Sequence, residues 1–296
     1  MPHLAQLNVA RLLAPLDDPR LEGFVNALER INLLGDASPG FVWRLQTDDG
    51  DATALRPFPD PDIIVNLTVW ETVESLRAFA YRGEHLAAFK QRLDWFEDRV
   101  EPMVVLWWVD DGHIPTVEEA KERLDFLRKH GPSPWAFTFA TAAPPLMVER
   151  ATVEHPDAAQ LISELNASIL EAKEDGSHFF GLTSEDVAPG RGAFLVLRFD
   201  GEPVGCGAVR KLNDDEAELK RMFVRPDVRG RKLGAALIVL LEDEARALGV
   251  NRLLLETATY LEAAVAAYTR AGFTPIPPYG EYVGASDSYC MGKTLM

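Results

Sequence analysis

One twelve-residue stretch decides how the second half of the chain folds: Val224-Arg225-Pro226-Asp227-Val228-Arg229-Gly230-Arg231-Lys232-Leu233-Gly234-Ala235. The apolar pattern before it predicts a strand over 216–224, and the apolar spacing after it predicts a helix over 231–248. The glycines and alanines of the stretch leave the backbone between these elements accessible. Free N–H groups of a first helical turn bind phosphate, aided by the helix dipole. We therefore expect a pyrophosphate site here.

Charge singles out the same stretch. The chain has 296 residues, with 30 Lys and Arg against 46 Asp and Glu, a formal net charge of −16. Between Lys220 and Lys232, however, six basic residues stand against Asp227 alone, which leaves a local charge of +5. Residues 1–146 carry 14 basic and 23 acidic side chains and the remainder 16 and 23, so both halves are acidic. Neither half is therefore a nucleic-acid module, and this stretch favours a polyanion.

Several other classes of site and protein are excluded by the sequence. Cys206 and Cys290 are too few for a disulfide framework or a metal cluster, and we expect both thiols to be buried and inert. The glycines follow neither the Walker A nor the Rossmann pattern. The longest apolar run, 233–241, is too short to cross a bilayer, and residues 1–30 carry no secretory signal. We expect a cytoplasmic protein with no metal, no nucleic-acid partner and no membrane partner.

The aromatic residues divide the chain into two parts. All six Trp lie in the first 135 residues, whereas five of the six Tyr lie in the last 91. Prolines between residues 132 and 145 prevent a helix from continuing through this region. We predict two domains, 1–143 and 147–296, in an α+β or α/β protein.

In the first half, apolar periodicity predicts the element order β-α-β-β-α-β, which is that of a ferredoxin-like unit. The predicted strands cover residues 3–12, 40–45, 62–70 and 102–109, and the predicted helices cover 19–34, 84–99 and 117–129. This half resembles a bacterial domain family of unknown function related to the dimeric α/β-barrel group. The resembling residues are Glu84-His85, Trp95-Phe96, Trp107-Trp108-Val109, Gly112-His113-Ile114-Pro115 and Gly131-Pro132-Ser133. The resemblance implies a pocket between sheet and helices, and a homodimer formed through this domain.

Two histidines leave the role of that pocket open. His85 and His113, with Trp43, Trp70, Trp95, Trp107 and Trp108, would line a site for a small aromatic or haem-like ligand. In the simpler interpretation, the tryptophans form the core and His113 is a turn residue with a satisfied hydrogen bond.

The second half is similar to the GNAT superfamily of acetyl-CoA-dependent N-acetyltransferases. Arg229 and Gly234 match the ends of the family motif Arg/Gln-x-x-Gly-x-Gly/Ala, and Lys232 stands where a glycine is usual. The segments 217–224 and 267–273 match the family on either side. The resemblance implies a GNAT fold, with a mixed, mostly antiparallel sheet flanked by helices. It also implies acetyl-CoA as co-substrate, bound by these residues: Met222, Phe223, Val224, Arg229, Gly230, Arg231, Lys232, Leu233, Gly234 and Ala235.

The resemblance further implies transfer of an acetyl group to a primary amine of an unidentified small molecule or peptide, by direct attack on the thioester. Glu218 is the candidate base, or else a solvated carboxylate paired with Lys220 or Arg210. Tyr268 is the candidate acid for the coenzyme A thiolate, or else a core aromatic. A backbone N–H near Phe223 would stabilise the oxyanion.

Three residues of the segment 277–287 are candidate acceptor contacts through charge and cation–π interaction: Tyr279, Glu281 and Tyr282. An ordinary exposed loop explains them equally well. Strand alternation places four residues on one face of the sheet: Glu218, Lys220, Met222 and Val224. The alternative function is a non-catalytic coenzyme A sensor or scaffold.

Overall fold

A computed structural model describes residues 1–172, 181–285 and 287–295. The chain divides into two compact units, Met1–Pro145 and Leu146–Met296, and each contains its own sheet. Within the described residues, no helix has both the length and the apolar composition that a membrane span requires.

The first unit is an antiparallel sheet with helices. Its elements are β1 (His3–Arg11), α1 (Glu22–Asp36), β2 (Phe41–Arg44), β3 (Ile63–Trp70), α2 (Val73–Ala80), α3 (Gly83–Lys90), α4 (Arg92–Trp95), β4 (Val104–Val109) and α5 (Val117–His130). The strands lie in the order β2-β3-β1-β4, and all neighbours are antiparallel. Trp70 and Trp107 have no exposed surface and are buried on opposite faces of this sheet.

The predicted single helix over residues 84–99 is wrong. The chain there forms α3 and α4, which are divided at Gln91. With the chain divided in this way, Trp95 is buried. Phe89 and Leu93, which would lie on the apolar face of the single predicted helix, remain 45% and 51% exposed. Helix α2 was not predicted, although Thr72 caps it by accepting a hydrogen bond from the backbone N–H of Ser75.

The second unit has a mixed, mostly antiparallel sheet flanked by helices, as predicted. Its elements are β5 (Leu146–Arg150), α6 (Pro156–Ala172), β6 (Gly192–Phe199), β7 (Glu202–Lys211), β8 (Glu216–Val224), α7 (Leu233–Ala247), β9 (Arg252–Ala258), α8 (Glu262–Arg270), β10 (Thr274–Pro275) and β11 (Ser288–Thr294). The strand order is β10-β11-β9-β8-β7-β6-β5, and only β8 and β9 pair in parallel. Apolar spacing in the sequence predicts a helix over residues 157–174, and the end of this predicted helix lies outside the described residues.

Helices cover both faces of this sheet. On one face, Ala158 and Leu161 of α6 pack against a buried cluster that contains Cys206 and Phe223. On the other face lies α7. Gly207 of β7 is a glycine because a Cβ there would lie only 2.7 Å from a Leu241 methyl group of α7. The close approach of α7 fixes its N-terminus beside the end of β8.

The sheet opens where β8 separates from β9, near the C-terminal end of β8. Its parallel pairing with β9 stops at Leu219 opposite Leu255. Beyond that point β8 bulges, because its residues 220–223 oppose only residues 206–208 of β7, and Arg221 has φ 57°. The edge of residues 220–224 that faces β9 therefore has no partner strand in the described part of the chain.

The bulge also corrects the predicted alternation along β8. Lys220 lies opposite Ala208, on the α6 face, whereas Met222 lies beside Gly207, on the α7 face. The prediction that Met222 shares a face with Glu218 and Lys220 is wrong, because the inserted residue reverses the order of side chains after it.

Candidate active site

The N-terminus of α7 is exposed to a ligand through its backbone. Lys232 precedes the helix with φ 64° and ψ 18°, and no side chain caps the first turn. A Cβ placed at Gly230 or Gly234 would meet no atom within 4 Å, so the space in front of these residues is open. Helix α7 begins at Leu233, two residues later than predicted. Uncapped N–H groups beside open space favour an anionic group.

The six basic residues around this turn fall into two groups. Three of them bond to neighbouring side chains: Arg225 to Glu164, Arg221 to Asn166, and Lys220 to Glu281. The other three, Arg229, Arg231 and Lys232, form no ion pair among the residues that the structure describes. These three precede or begin the uncapped turn, so the charge available to a polyanion is concentrated there.

Glu218 is enclosed by donors. Its side chain has no exposed surface. Arg210 Nε donates to Oε2 at 2.7 Å, and the hydroxyls of Tyr279 and Tyr282 donate to Oε1 at 2.9 and 2.5 Å. Burial and the Glu218 carboxylate raise the pKa of both phenols, so both remain donors. Glu218 is thus a buried carboxylate paired with Arg210, and neither solvated nor freely accessible.

The three residues predicted to contact the acceptor bond either to Glu218 or to the cations beside it. Tyr279 and Tyr282 bond to it directly, and Tyr282 is only 2% exposed. Glu281 Oε1 accepts from Arg210 Nη2 at 2.9 Å and from Lys220 Nζ at 3.1 Å. Lys220 Nζ also donates to the Tyr282 hydroxyl at 2.8 Å. The loop that carries these residues is therefore fastened to β7 and β8.

Glu256 is a second carboxylate at the opening of the sheet, and it was not predicted from the sequence. It follows Leu255, the last β9 residue paired with β8, and is half-buried. Ser288 Oγ donates to its Oε1 at 2.7 Å. Burial raises the pKa of the Glu256 carboxyl, and the Ser288 hydroxyl partly offsets this. The sequence signal that could have identified Glu256 is an acidic residue directly after the apolar run 253–255.

Tyr268 lies on α8 with its ring buried. The ring packs edge-on against Phe273, with centroids 5.9 Å apart, and the residue is 9% exposed. Burial raises the pKa of Tyr268, and the Glu256 carboxylate adds to the shift. The hydroxyl has no hydrogen-bond partner among the described residues. It is a protonated phenol whose proton is not committed to another group.

Both cysteines are buried, as the sequence predicted. Cys206 Sγ donates to the Arg221 carbonyl at 3.4 Å, and burial raises the pKa of its thiol to about 12. Burial also raises the pKa of the Cys290 thiol. Neither thiol is therefore an activated nucleophile. Among the described residues, no group of three or more potential ligands could hold a metal ion.

His85 and His113 of the first unit do not share one pocket. Trp70 and Trp107 pair with successive residues of β1 and so point to opposite faces of the sheet. His85 packs against Phe79, which in turn stacks on Trp70. His113 bonds at 2.8 Å to Glu119, which also accepts from Trp107 Nε1. His113 is thus a turn residue with a satisfied hydrogen bond.

Comparison with known proteins identifies the second unit. Residues 159–273 match the acetyltransferase (GNAT) family. An "IAA acetyltransferase" from Azospirillum brasilense is 44% identical over 103 residues, which are 34% of this chain and 67% of that protein. The chain belongs to the GNAT acetyltransferase family. The Escherichia coli (strain K12) protein "Uncharacterized N-acetyltransferase YjgM" is 36% identical to this GNAT protein over 87 residues, 28% of this chain and 52% of its own.

The first unit of this GNAT protein matches a different family. Residues 3–153 match a family described as "Domain of unknown function (DUF3291)". Both family resemblances inferred from the sequence are thus confirmed. Among solved structures, an acetyltransferase from Streptococcus agalactiae covers 51% of this chain and 98% of its own, with 23% identity and a TM-score of 0.43. The chain spans between 29% and 67% of the length of five curated relatives that it matches.

Proposed function

We propose that the second unit transfers the acetyl group of acetyl-CoA to a primary amine. The observation that carries this proposal is the uncapped N-terminus of α7, with Arg229, Arg231 and Lys232 around it, next to the unpaired edge of β8. The pyrophosphate would lie against residues 229–235. Backbone groups of residues 222–224 on the edge that faces β9 would bond to the amides of the pantetheine arm, which would place the thioester in the opening between β8 and β9.

The bulge in β8 supplies the oxyanion donor in this proposal. An N–H of a regular central strand is used by the sheet, whereas one on the unpaired edge is available. A backbone N–H near Phe223 would donate to the thioester oxygen and stabilise the negative charge that develops there. Because the donor is part of a packed strand, it needs no reorganisation during the reaction.

An alkylamine has a pKa of about 10.4, so it arrives charged and must lose a proton before it attacks. The sequence predicted Glu218 as the acceptor of that proton. Glu218 has no exposed surface and accepts from three donors, whereas Glu256 is half-buried, has a raised pKa and bonds to one serine hydroxyl. We therefore propose Glu256 as the base. Glu218 then positions the loop that carries Tyr279 and Tyr282.

Tyr268 is the proposed acid. Its raised pKa keeps the phenol protonated at neutral pH, and its hydroxyl is not engaged by another described residue. A phenol in this state can give its proton to the departing thiolate of coenzyme A.

Titration calorimetry with acetyl-CoA tests the proposal. We expect binding by the intact chain, weakened in Arg229→Ala and Arg231→Ala and unchanged in Arg191→Ala, a 60% exposed arginine elsewhere in the unit. Turnover is then screened over amines, amino acids, peptides and aminoglycosides. Absence of binding at about millimolar acetyl-CoA would refute the proposal. Binding without turnover of any acceptor would favour a non-catalytic coenzyme A sensor.

For the first unit, we infer a ferredoxin-like topology and a role in forming a homodimer. The strand order β2-β3-β1-β4 with antiparallel neighbours, and the element order β-α-β-β-α-β, support the topology. Light scattering on the intact chain and on residues 147–296 alone tests the second point. A dimer that persists without the first unit would contradict it.

A further inference from the structure

A carboxylate of the chain itself fills a site made by two cations. Arg210 and Lys220 both donate to the same oxygen of Glu281, at 2.9 and 3.1 Å. The cationic side chains are only 18% and 6% exposed, whereas that of Glu281 is 42% exposed. The two cations therefore form the wall of the site, and the carboxylate that neutralises them stands at its rim.

The position of this site relates it to the proposed reaction. Lys220 is the first β8 residue after the pairing with β9 ends, and Glu256 is the first such residue of β9. The charges of Lys220 and Glu281 both act on the pKa of Glu256. The two-cation site and the proposed base therefore lie on the two sides of one opening.

The charge balance requires an anion at this place. Glu218 and Glu281 are two carboxylates within 4 Å of Arg210 and Lys220 that form ion pairs with both, so a ligand group that displaces Glu281 keeps the local charge balance if it is itself an anion. A cationic group is poorly suited to it. The ring of Tyr282 already has Lys220 Nζ at 5.4 Å from its centre, and its hydroxyl is bonded to Glu218.

We propose that the acceptor is a free amino acid, whose carboxylate displaces Glu281 from Arg210 and Lys220 while its amine lies beside Glu256. This inference rests on the proposed function. The ammonium group gives one proton to Glu256, and the C–N bond forms as the C–S bond of the thioester breaks. Tyr268 gives its proton to the thiolate and recovers the proton that the new amide nitrogen loses. The products are an N-acetyl amino acid, coenzyme A and one proton, which Glu256 releases to the solvent.

Steady-state kinetics on the intact chain test the proposal, with the protein amino acids and their α-carboxamides as matched acceptors at saturating acetyl-CoA. An α-carboxamide keeps the size and the amine of the amino acid but lacks the negative charge of its carboxylate. We expect kcat/KM for the preferred amino acid to exceed that of its carboxamide by at least about tenfold, because bonds to charged groups are lost. Equal or better turnover of the carboxamides would overturn the proposal.

Glu281→Gln supplies a second test, and it keeps the bond from Arg210 Nε to Glu218. Removal of the competing carboxylate should lower the ratio of KM for the amino acid to KM for the carboxamide by up to about fivefold. Glu185→Gln, a 77% exposed carboxylate paired with Arg191, is the matched control and should change neither constant. If Glu281→Gln raises KM for both acceptors, Glu281 is structural and the proposal is wrong.

The same experiments separate this inference from the proposed function. If calorimetry finds no acetyl-CoA binding, both are overturned. If acetyl-CoA binds and amines without a carboxylate are acetylated equally well, the proposed function stands and only the amino acid preference fails.

Discussion

Replacement of Lys232 by glycine should separate the two contributions of this residue, its backbone and its charge. Lys232 has φ 64°, a left-handed conformation. That conformation costs a residue with a Cβ about 1–2 kcal/mol and costs glycine almost nothing. Glycine also adds about 0.5–1 kcal/mol of chain entropy to the unfolded state. Lys232→Gly should therefore raise the free energy of unfolding of the second unit by about 0.5–1 kcal/mol.

The effect of the same change on acetyl-CoA binding should have the opposite sign. The Lys232 charge lies at the uncapped N-terminus of α7 and is not paired with a described carboxylate. Its loss should weaken binding by about 1 kcal/mol, or about fivefold. Lys232→Ala removes the same charge but keeps a Cβ, so it should bind as weakly as Lys232→Gly without the gain in stability.

Calorimetry with acetyl-CoA and denaturant unfolding measure the two quantities, with Lys129→Ala of helix α5 as the control. Two results would refute the reasoning. If both Lys232 variants bind like the wild type, the charge does not contact the cofactor. If only Lys232→Ala binds weakly, the path of the backbone determines affinity, and Lys232 is not a cofactor-binding cation.

Four further predictions concern the carboxylates and the phenol. Glu256→Gln should lower kcat by about 10²–10⁴-fold and remove the acidic limb of the kcat/KM pH profile; an unchanged profile would exclude Glu256 as the base. Burial raises the pKa of the Glu256 carboxyl, so the folded state binds the carboxyl proton more tightly than the unfolded chain does. The free energy of unfolding of the wild type should therefore fall as the pH rises through the raised pKa. Glu256→Gln should lack this fall when unfolding is measured across the same pH range. Tyr268→Phe should lower kcat by a similar factor with no change in acetyl-CoA affinity by calorimetry; a loss of affinity would indicate a structural role. Glu218→Gln should cost about 3–5 kcal/mol in denaturant unfolding, because it leaves Arg210 without its buried partner, whereas the rim variant Glu281→Gln should cost about 0–1 kcal/mol; equal losses would contradict the burial argument.

Local sequence patterns explain why the strand and the helix on either side of residues 224–235 could be predicted. Strand β8 has the predicted bounds, and α7 starts within two residues of its predicted start, since apolar periodicity and small residues act over a few positions. Local periodicity failed at residues 84–99. There the apolar stripe through Phe89 and Leu93 is exposed, and the buried surface is formed by Trp95, whose contacts are with other parts of the unit.

The arrangement of the site depends on long-range pairing, so less of it could be predicted. Glu218 was identified, but its burial depends on Arg210 of the neighbouring strand and on phenols more than 60 positions away along the chain. Glu256 was missed because its position matters only where β8 and β9 separate. Nothing in the sequence near residue 256 states where that separation begins.

The uneven placement of the aromatic residues gives the intact chain two independent optical reporters. Every tryptophan belongs to the first unit, and Trp70, Trp95, Trp107 and Trp135 are buried there. Indole emission therefore follows the unfolding of that unit alone. Five of the six tyrosines belong to the second unit, so the near-ultraviolet dichroism of phenols follows mainly the acetyltransferase domain. The stability of each unit can thus be measured without cutting the chain.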